Sequence, residues 1–162
     1  MSLELAFQLR FVGMVGLAML LGAAIGLERE LRGKPAGLRT HMMVAGAAAL
    51  LMGLGEIVIR VYGAALGDTV RSDPIRAIQA VTTGVSFLGA GTIIFDRSSR
   101  RIEGLTTVAS ILFAAGVGMC VALSQPVLAI GVVALALITL RSVAVLEAWF
   151  GQRGIGKDRG AE

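Results

Sequence analysis

The sequence predicts an all-α polytopic membrane protein: a bundle of about five transmembrane helices, N-terminus outside and C-terminus cytoplasmic. Three observations carry this. Of 162 residues, 56% are hydrophobic and 16% charged, whereas ordinary globular chains carry roughly 25% charged residues. The 22 glycines are nearly double the usual share of about 7%. Lysine and arginine also cluster unevenly around long runs that hold no charge. A mean hydropathy of +0.81 exceeds what so small a core could bury, which makes the bilayer the natural solvent.

A span needs roughly 20 mostly apolar residues, within about 17 to 25. The first is placed over residues 9–28, around the charge-free run from Phe11 to Leu27. Glu4 and Arg10 make a mixed head, and Leu27-Glu28-Arg29-Glu30 stands where a cleavage site would be, so this segment is expected to persist as a span rather than be removed. The second covers residues 40–62 and carries Glu56 and Arg60 as an i,i+4 pair. The third covers residues 74–95, with Asp73 as N-cap and Pro74 at the first helical position. It takes Gln79, Thr82, Thr83 and Ser86 into the membrane. From Gly104 to Leu140 there is no charge, too long a run for one helix, and Ser124-Gln125-Pro126 divides it into spans 104–123 and 126–147. Thr106 and Thr107 are expected to cap the fourth span. Residues 1–150 thus form one transmembrane domain, and residues 151–162, Gly-rich and charged, a flexible cytoplasmic tail.

Orientation follows from the basic residues. With the loop after the first span inside, eleven lie on the cytoplasmic side, from Arg29, Arg32, Lys34 and Arg39 to Arg153, Lys157 and Arg159. Only Arg10, Arg60, Arg71 and Arg76 lie outside. Phe7, Phe11, Tyr62, Phe95, Trp149 and Phe150 fall near span ends, as an interfacial belt requires.

In lipid, helices associate through small residues that let backbones touch. Such residues recur every four positions as Ala18, Gly22 and Gly26, as Ala45, Ala49 and Gly53, and as Ser110, Ala114, Gly118 and Ala122. The third span offers Ala80 with Gly84, and Ser86 with Ala90. The fifth puts Ala129, Val133 and Leu137 on the comparable stripe, the pattern of a peripheral helix. Tight packing explains the glycines; the alternative is that Gly84, Gly89 and Gly91 break the third helix to line a polar cavity.

The acidic residues bound the chemistry. Glu28 with Arg32, and Glu30 with Lys34, have the i,i+4 spacing of local ion pairs, acid first. Acids at a helix C-terminus oppose the macrodipole, so a partner from outside the helix, such as Arg39, is also expected. Gln79 needs a real partner inside the membrane and is the foremost candidate for a functional or assembly role. Mg²⁺ is usually held through one or two carboxylates plus waters. Under the inferred topology, however, Glu28 and Glu30 lie at one membrane face and Asp73 and Glu56 at the other. A hydrocarbon core of roughly 30 Å then separates them. His41 and Cys120, single copies of their kinds, read as structural. The sequence shows no nucleophile-base pair, phosphate loop or metal-ligand cluster, so the expectation is not an enzyme, with no cofactor, and nothing in the +4 charge calls for nucleic acid.

Gly26-Leu27-Glu28-Arg29-Glu30, Lys34-Pro35-Ala36-Gly37-Leu38-Arg39-Thr40-His41 and Asp73-Pro74-Ile75-Arg76 resemble the MgtC/SapB family of bacterial inner-membrane proteins. So do Phe87-Leu88-Gly89-Ala90-Gly91-Thr92-Ile93 and Gly104-Leu105-Thr106-Thr107. The likeness covers roughly residues 10 to 146, with the motifs in order. It implies an inner-membrane protein linked to growth in low Mg²⁺ and, in pathogens, to virulence and survival inside host cells. It further implies a regulator acting through membrane partners, the proton-translocating ATP synthase among them, rather than a proven Mg²⁺ carrier, with Mg²⁺ as the candidate ion. Glu28, Arg39, Asp73, Arg76, Gln79, Gly89 and Gly91 match signature positions of the family. This chain has Gly84-Val85-Ser86 where the family often shows Gly-Ile-Gly, and Glu103 where it often shows Arg. The soluble C-terminal domain appended in many members is not expected here. A cation transporter or channel component, built on Gln79, Thr83 and Ser86, is the alternative. Besides the lipid bilayer, the expected partner is a second copy, most simply in a two-fold dimer.

Overall fold

A computed structural model describes residues 2–66, 74–96 and 101–154. The described chain is all-helical apart from one small hairpin: α1 Ser2–Leu31, α2 Leu38–Leu66, α3 Pro74–Ala90, β1 Ile94–Asp96, β2 Arg101–Glu103, α4 Leu105–Ala122 and α5 Pro126–Gly154. Three of these helices, over Glu4–Leu31, Leu38–Ile59 and Leu105–Ala122, are long and apolar enough to cross a membrane. The apolar part of α5 over Pro126–Ser142 and the 17 residues of α3 are shorter.

Each helix ends where its sequence allows. After α1 the chain makes a Schellman turn: Gly33 takes φ 63°, its N–H bonds Glu30 O at 3.0 Å and the Lys34 N–H bonds Arg29 O at 3.0 Å. The same pattern closes α4, with Ser124 at φ 58°, Ser124 N–H on Val121 O and Gln125 N–H on Cys120 O. Pro126 then opens α5 at the position where a missing amide costs nothing.

Successive helices run in opposite directions around a core of α1, α2 and α4. The stripes of small residues foreseen for these three are buried, and the facing backbones touch. A Cβ on Gly118 would overlap the Ala45 carbonyl of α2, and one on Gly22 would lie 2.5 Å from the His41 carbonyl. The core is correspondingly rich in alanine: Ala18, Ala45, Ala48, Ala49, Ala114 and Ala115 are nearly or wholly inaccessible. Helix α5 is peripheral, as its stripe predicts. It buries Ala129 and Val133 and turns Val127, Leu128, Leu135 and Ile138 outward.

Helix α3 departs from expectation. It is continuous through Gly84 and Gly89, so it is not broken there, but it stops at Ala90 and not at residue 95. Gly91, Thr92 and Ile93 leave the helix in a turn, and the chain enters β1, paired antiparallel with β2 through Ile94↔Glu103 and Asp96↔Arg101. Two glycines around position 90 and the β-branched run Thr92-Ile93-Ile94 favour that exit over another helical turn. Nor are the two small-residue pairs foreseen for α3 used inside the chain: nothing lies within 4 Å of a Cβ on Gly84, and Ala80, Ser86 and Ala90 are exposed. The described part of α5 continues as helix to Gly154, past residue 150 where the tail was expected to begin. The remaining tail residues, 155–162, lie outside the described residues, as does Asp73.

Candidate functional site

The polar side chains that the fold buries converge where α1 ends, α2 begins and α4 begins. Arg29 falls on the same face of α1 as Gly22 and Ile25, seven and four residues earlier, and is therefore carried into the core at 3% exposure. Its guanidinium Nη2 donates to Thr106 Oγ1 at 3.2 Å and Thr107 Oγ1 at 3.4 Å. The two threonines do not cap α4. The N-cap is Gly104, at φ 94° and with no side-chain cap, and the hydroxyls are taken by Arg29 instead. Glu28, 5% exposed, forms the expected i,i+4 ion pair with Arg32 Nε. Among the described residues, neither of its carboxylate oxygens receives a hydrogen bond of regular geometry, and neither does Arg29 Nε make one.

The acid at the end of α1 that the macrodipole disfavours has a different partner from the one expected. Lys34 lies beyond the last turn of α1, and Glu30 Oε2 accepts the Leu38 N–H at 2.8 Å. An acid at the unfavourable end of one helix thereby caps the favourable end of the next. Gly37 makes room for it: a Cβ there would lie 2.7 Å from Glu30 Oε2.

One turn into α2, His41 is wholly buried. Its Nδ1 lies 2.9 Å from Gly37 O and its Nε2 3.0 Å from Ser110 Oγ. A carbonyl can only accept, so Nδ1 carries a hydrogen. Ser110 Oγ is also 2.8 Å from Thr107 O. Having one hydrogen, it serves either the neutral ring or the Thr107 carbonyl, and in the second case Nε2 must donate. Arg29, His41, Thr106, Thr107 and Ser110 thus form one connected set of contacts tying α1 and α2 to α4.

Of the residues singled out from the sequence, Glu28, Glu30, Thr106 and Thr107 meet at this end of the bundle. Arg39 lies at the same end but is exposed. Gly89 is buried against Val108 of α4, and Gly91 is exposed in the turn after α3. Arg76, Gln79, Thr83 and Ser86 are exposed on α3 and do not join the cluster. Sequence reasoning passed over Arg29 as a site residue and read His41 as structural; the structure buries His41 between Gly37 O and Ser110 Oγ. The signal for Arg29 was its register with Gly22 on the packing stripe. At the opposite end a cavity of about 650 Å³ opens between α1, α2 and the α4–α5 turn, with Arg10, Phe11, Met14, Glu56 and Pro126 among its walls.

The MgtC family pattern matches residues 15–149, and these include all of the buried cluster. The chain belongs to the MgtC family. It is 35% identical over 133 residues, 82% of its length, to an uncharacterised protein of Haemophilus influenzae, of which that covers 55%. It is 43% identical over 108 residues to YhiD of Escherichia coli, whose name marks it as a candidate magnesium transporter; 65% of this chain and 47% of that one are covered. It is 38% identical over 108 residues to the protein MgtC of Salmonella typhimurium, covering 67% and 41%. The chain spans about half the length of the curated relatives it matches. No solved structure matches it. Family membership and the long apolar helices together make this a multi-pass protein of the bacterial inner membrane.

Proposed function

We propose that this MgtC-family chain serves Mg²⁺ homeostasis in the inner membrane as a regulator acting through other membrane proteins, under low Mg²⁺ or during growth inside host cells. The Mg²⁺ connection rests on the family and on the name of its relative YhiD. The regulatory role rests on one observation: Arg29 Nη2 and His41 Nε2, buried in the α1–α2–α4 core, bond to hydroxyls of α4 and so tie together helices that already touch backbone to backbone at Gly22 and Gly118. A carrier alternates between two arrangements around its ion. A core locked by Arg29 and His41 is suited instead to presenting a fixed surface to a partner, with the ATP synthase the candidate drawn from the family resemblance. A second reading, a component of a cation path, is favoured by the outward polar residues Gln79, Thr83 and Ser86 of α3.

The two readings separate in liposomes. The purified chain is expected to give no saturable Mg²⁺ uptake above protein-free vesicles, while a membrane protein co-purifies with it from mild detergent. Saturable flux that Gln79→Leu abolishes would overturn the regulatory reading in favour of the second.

A further inference from the structure

Helix α3 lies between the ends of two spanning helices. Pro74 and Ala77 share a cavity wall with Met52 and Gly55 of α2, and Gly89 rests on Val108 at the start of α4. Its 17 residues extend about 26 Å at 1.5 Å per residue, and no charged residue occurs from Ala77 to Phe95. It is therefore at membrane depth along its length. Val81 and Gly89 are its buried residues, with Ile78 and Val85 packed beside them. At about 100° per residue, Arg76, Gln79, Thr83, Ser86 and Ala90 fall within about 80° of arc on the opposite side of the helix. All five are exposed, and the side chains of Gln79, Thr83 and Ser86 make no hydrogen bond among the described residues. Among the described residues, the outward faces of the other helices are mainly apolar: Leu17 and Leu20 on α1, Leu50 and Leu54 on α2, Leu112 and Phe113 on α4, Leu128 and Leu135 on α5, where the exposed Thr139 hydroxyl bonds back to Leu135 O.

A carboxamide facing hydrocarbon would lose its water partners without gaining others, while the two hydroxyls would keep at most a bond back to their own helix carbonyls, as Thr139 does to Leu135 O. We propose that the Gln79–Thr83–Ser86 stripe is the contact surface for a second copy of this chain, with the two α3 helices side by side about a two-fold axis along the membrane normal. The chemistry of the stripe selects that occupant. A carboxamide is both donor and acceptor, and so is a hydroxyl; about a two-fold axis each residue meets its own copy and satisfies it. Thr83, Ser86 and Ala90 are small enough for close backbone approach. Phe87, 84% exposed at the edge of the stripe, gains cover there. The proposal does not depend on the Mg²⁺ reading.

The test uses the whole chain in native membranes, with Cys120→Ser removing the only thiol. Thr83→Cys and Ser86→Cys, oxidised with copper phenanthroline, are expected to give a reducible dimer at least tenfold above Leu20→Cys and Leu128→Cys, which mark lipid-facing positions on α1 and α5. Gln79→Leu in the Thr83→Cys background is expected to lower the dimer yield several-fold, and Gln79→Asn to restore part of it. Equal cross-linking at all four positions would mean random collision and overturn the proposal. So would a monomeric Thr83→Cys that a water-soluble maleimide labels, since the stripe would then line an aqueous path.

Discussion

At the scale of single residues, the buried cluster shows how charge is made tolerable next to lipid. Arg29 meets hydroxyls from another helix, Glu28 meets Arg32 one turn on, and Glu30 meets a backbone N–H. The Glu30 contact yields a clean prediction. Glu30→Gln keeps an oxygen acceptor and should leave stability nearly unchanged, while Glu30→Ala should lose about 1 kcal/mol, the usual worth of a helix cap. Ser110→Ala should cost more, about 1 to 3 kcal/mol, because it leaves His41 Nε2 buried without a partner. Reversible unfolding in mixed detergent micelles checks both. The sequence made the Glu28–Arg32 pair legible because i,i+4 spacing is local. It could not reveal that Arg29 reaches Thr106, since that contact joins residues 77 apart and depends on how α1 and α4 dock. The same distance explains why Thr106 and Thr107 read as caps: a threonine near a helix start is a plausible cap until another helix claims its oxygen.

At the scale of helices, small residues mark contacts only where a neighbour is at hand. The stripes of α1, α2 and α4 were readable from four-residue spacing and are filled as expected, whereas the same spacing on α3 points outward. Periodicity identifies a face and not its occupant. Gly118 and Gly84 make the contrast measurable. Gly118→Ala should destabilise by about 1 to 3 kcal/mol, since its methyl group must displace the α2 backbone at Ala45. Gly84→Ala meets open space and should be neutral or stabilising by up to about 1 kcal/mol, because alanine restricts the unfolded chain. Paired melting curves of the two variants test this. The early end of α3 and the hairpin after it were hidden in a charge-free run that continues to Phe95; hydropathy measures solvent preference and is blind to the turn over Gly91, Thr92 and Ile93.

At the scale of the whole molecule, helix count and alternating direction were legible because charge and length govern both. Arg29, Arg32, Lys34 and Arg39 gather at one end of the bundle, and the positive-inside rule predicts that this end faces the cytoplasm. In a Cys120→Ser background, Ser124→Cys in the α4–α5 turn should react with an impermeant maleimide on intact cells. Lys34→Cys should react only after permeabilisation, and the reverse pattern would invert the molecule. Both positions are exposed, so access and not burial decides the outcome.

The Glu30 contact also sets an order of events during synthesis. Glu30 and Leu38 are eight residues apart, so the hairpin of α1 and α2 can close as soon as both have left the ribosome. Arg29 and His41 must wait for Thr106 and Ser110, 77 and 69 residues downstream. At elongation speeds of about 5 to 20 residues per second, a nascent chain spends several seconds with a buried guanidinium and imidazole lacking their final acceptors. Over that interval the hairpin of α1 and α2 holds polar groups whose bonds to α4 are still to be made, and arrival of α4 completes them.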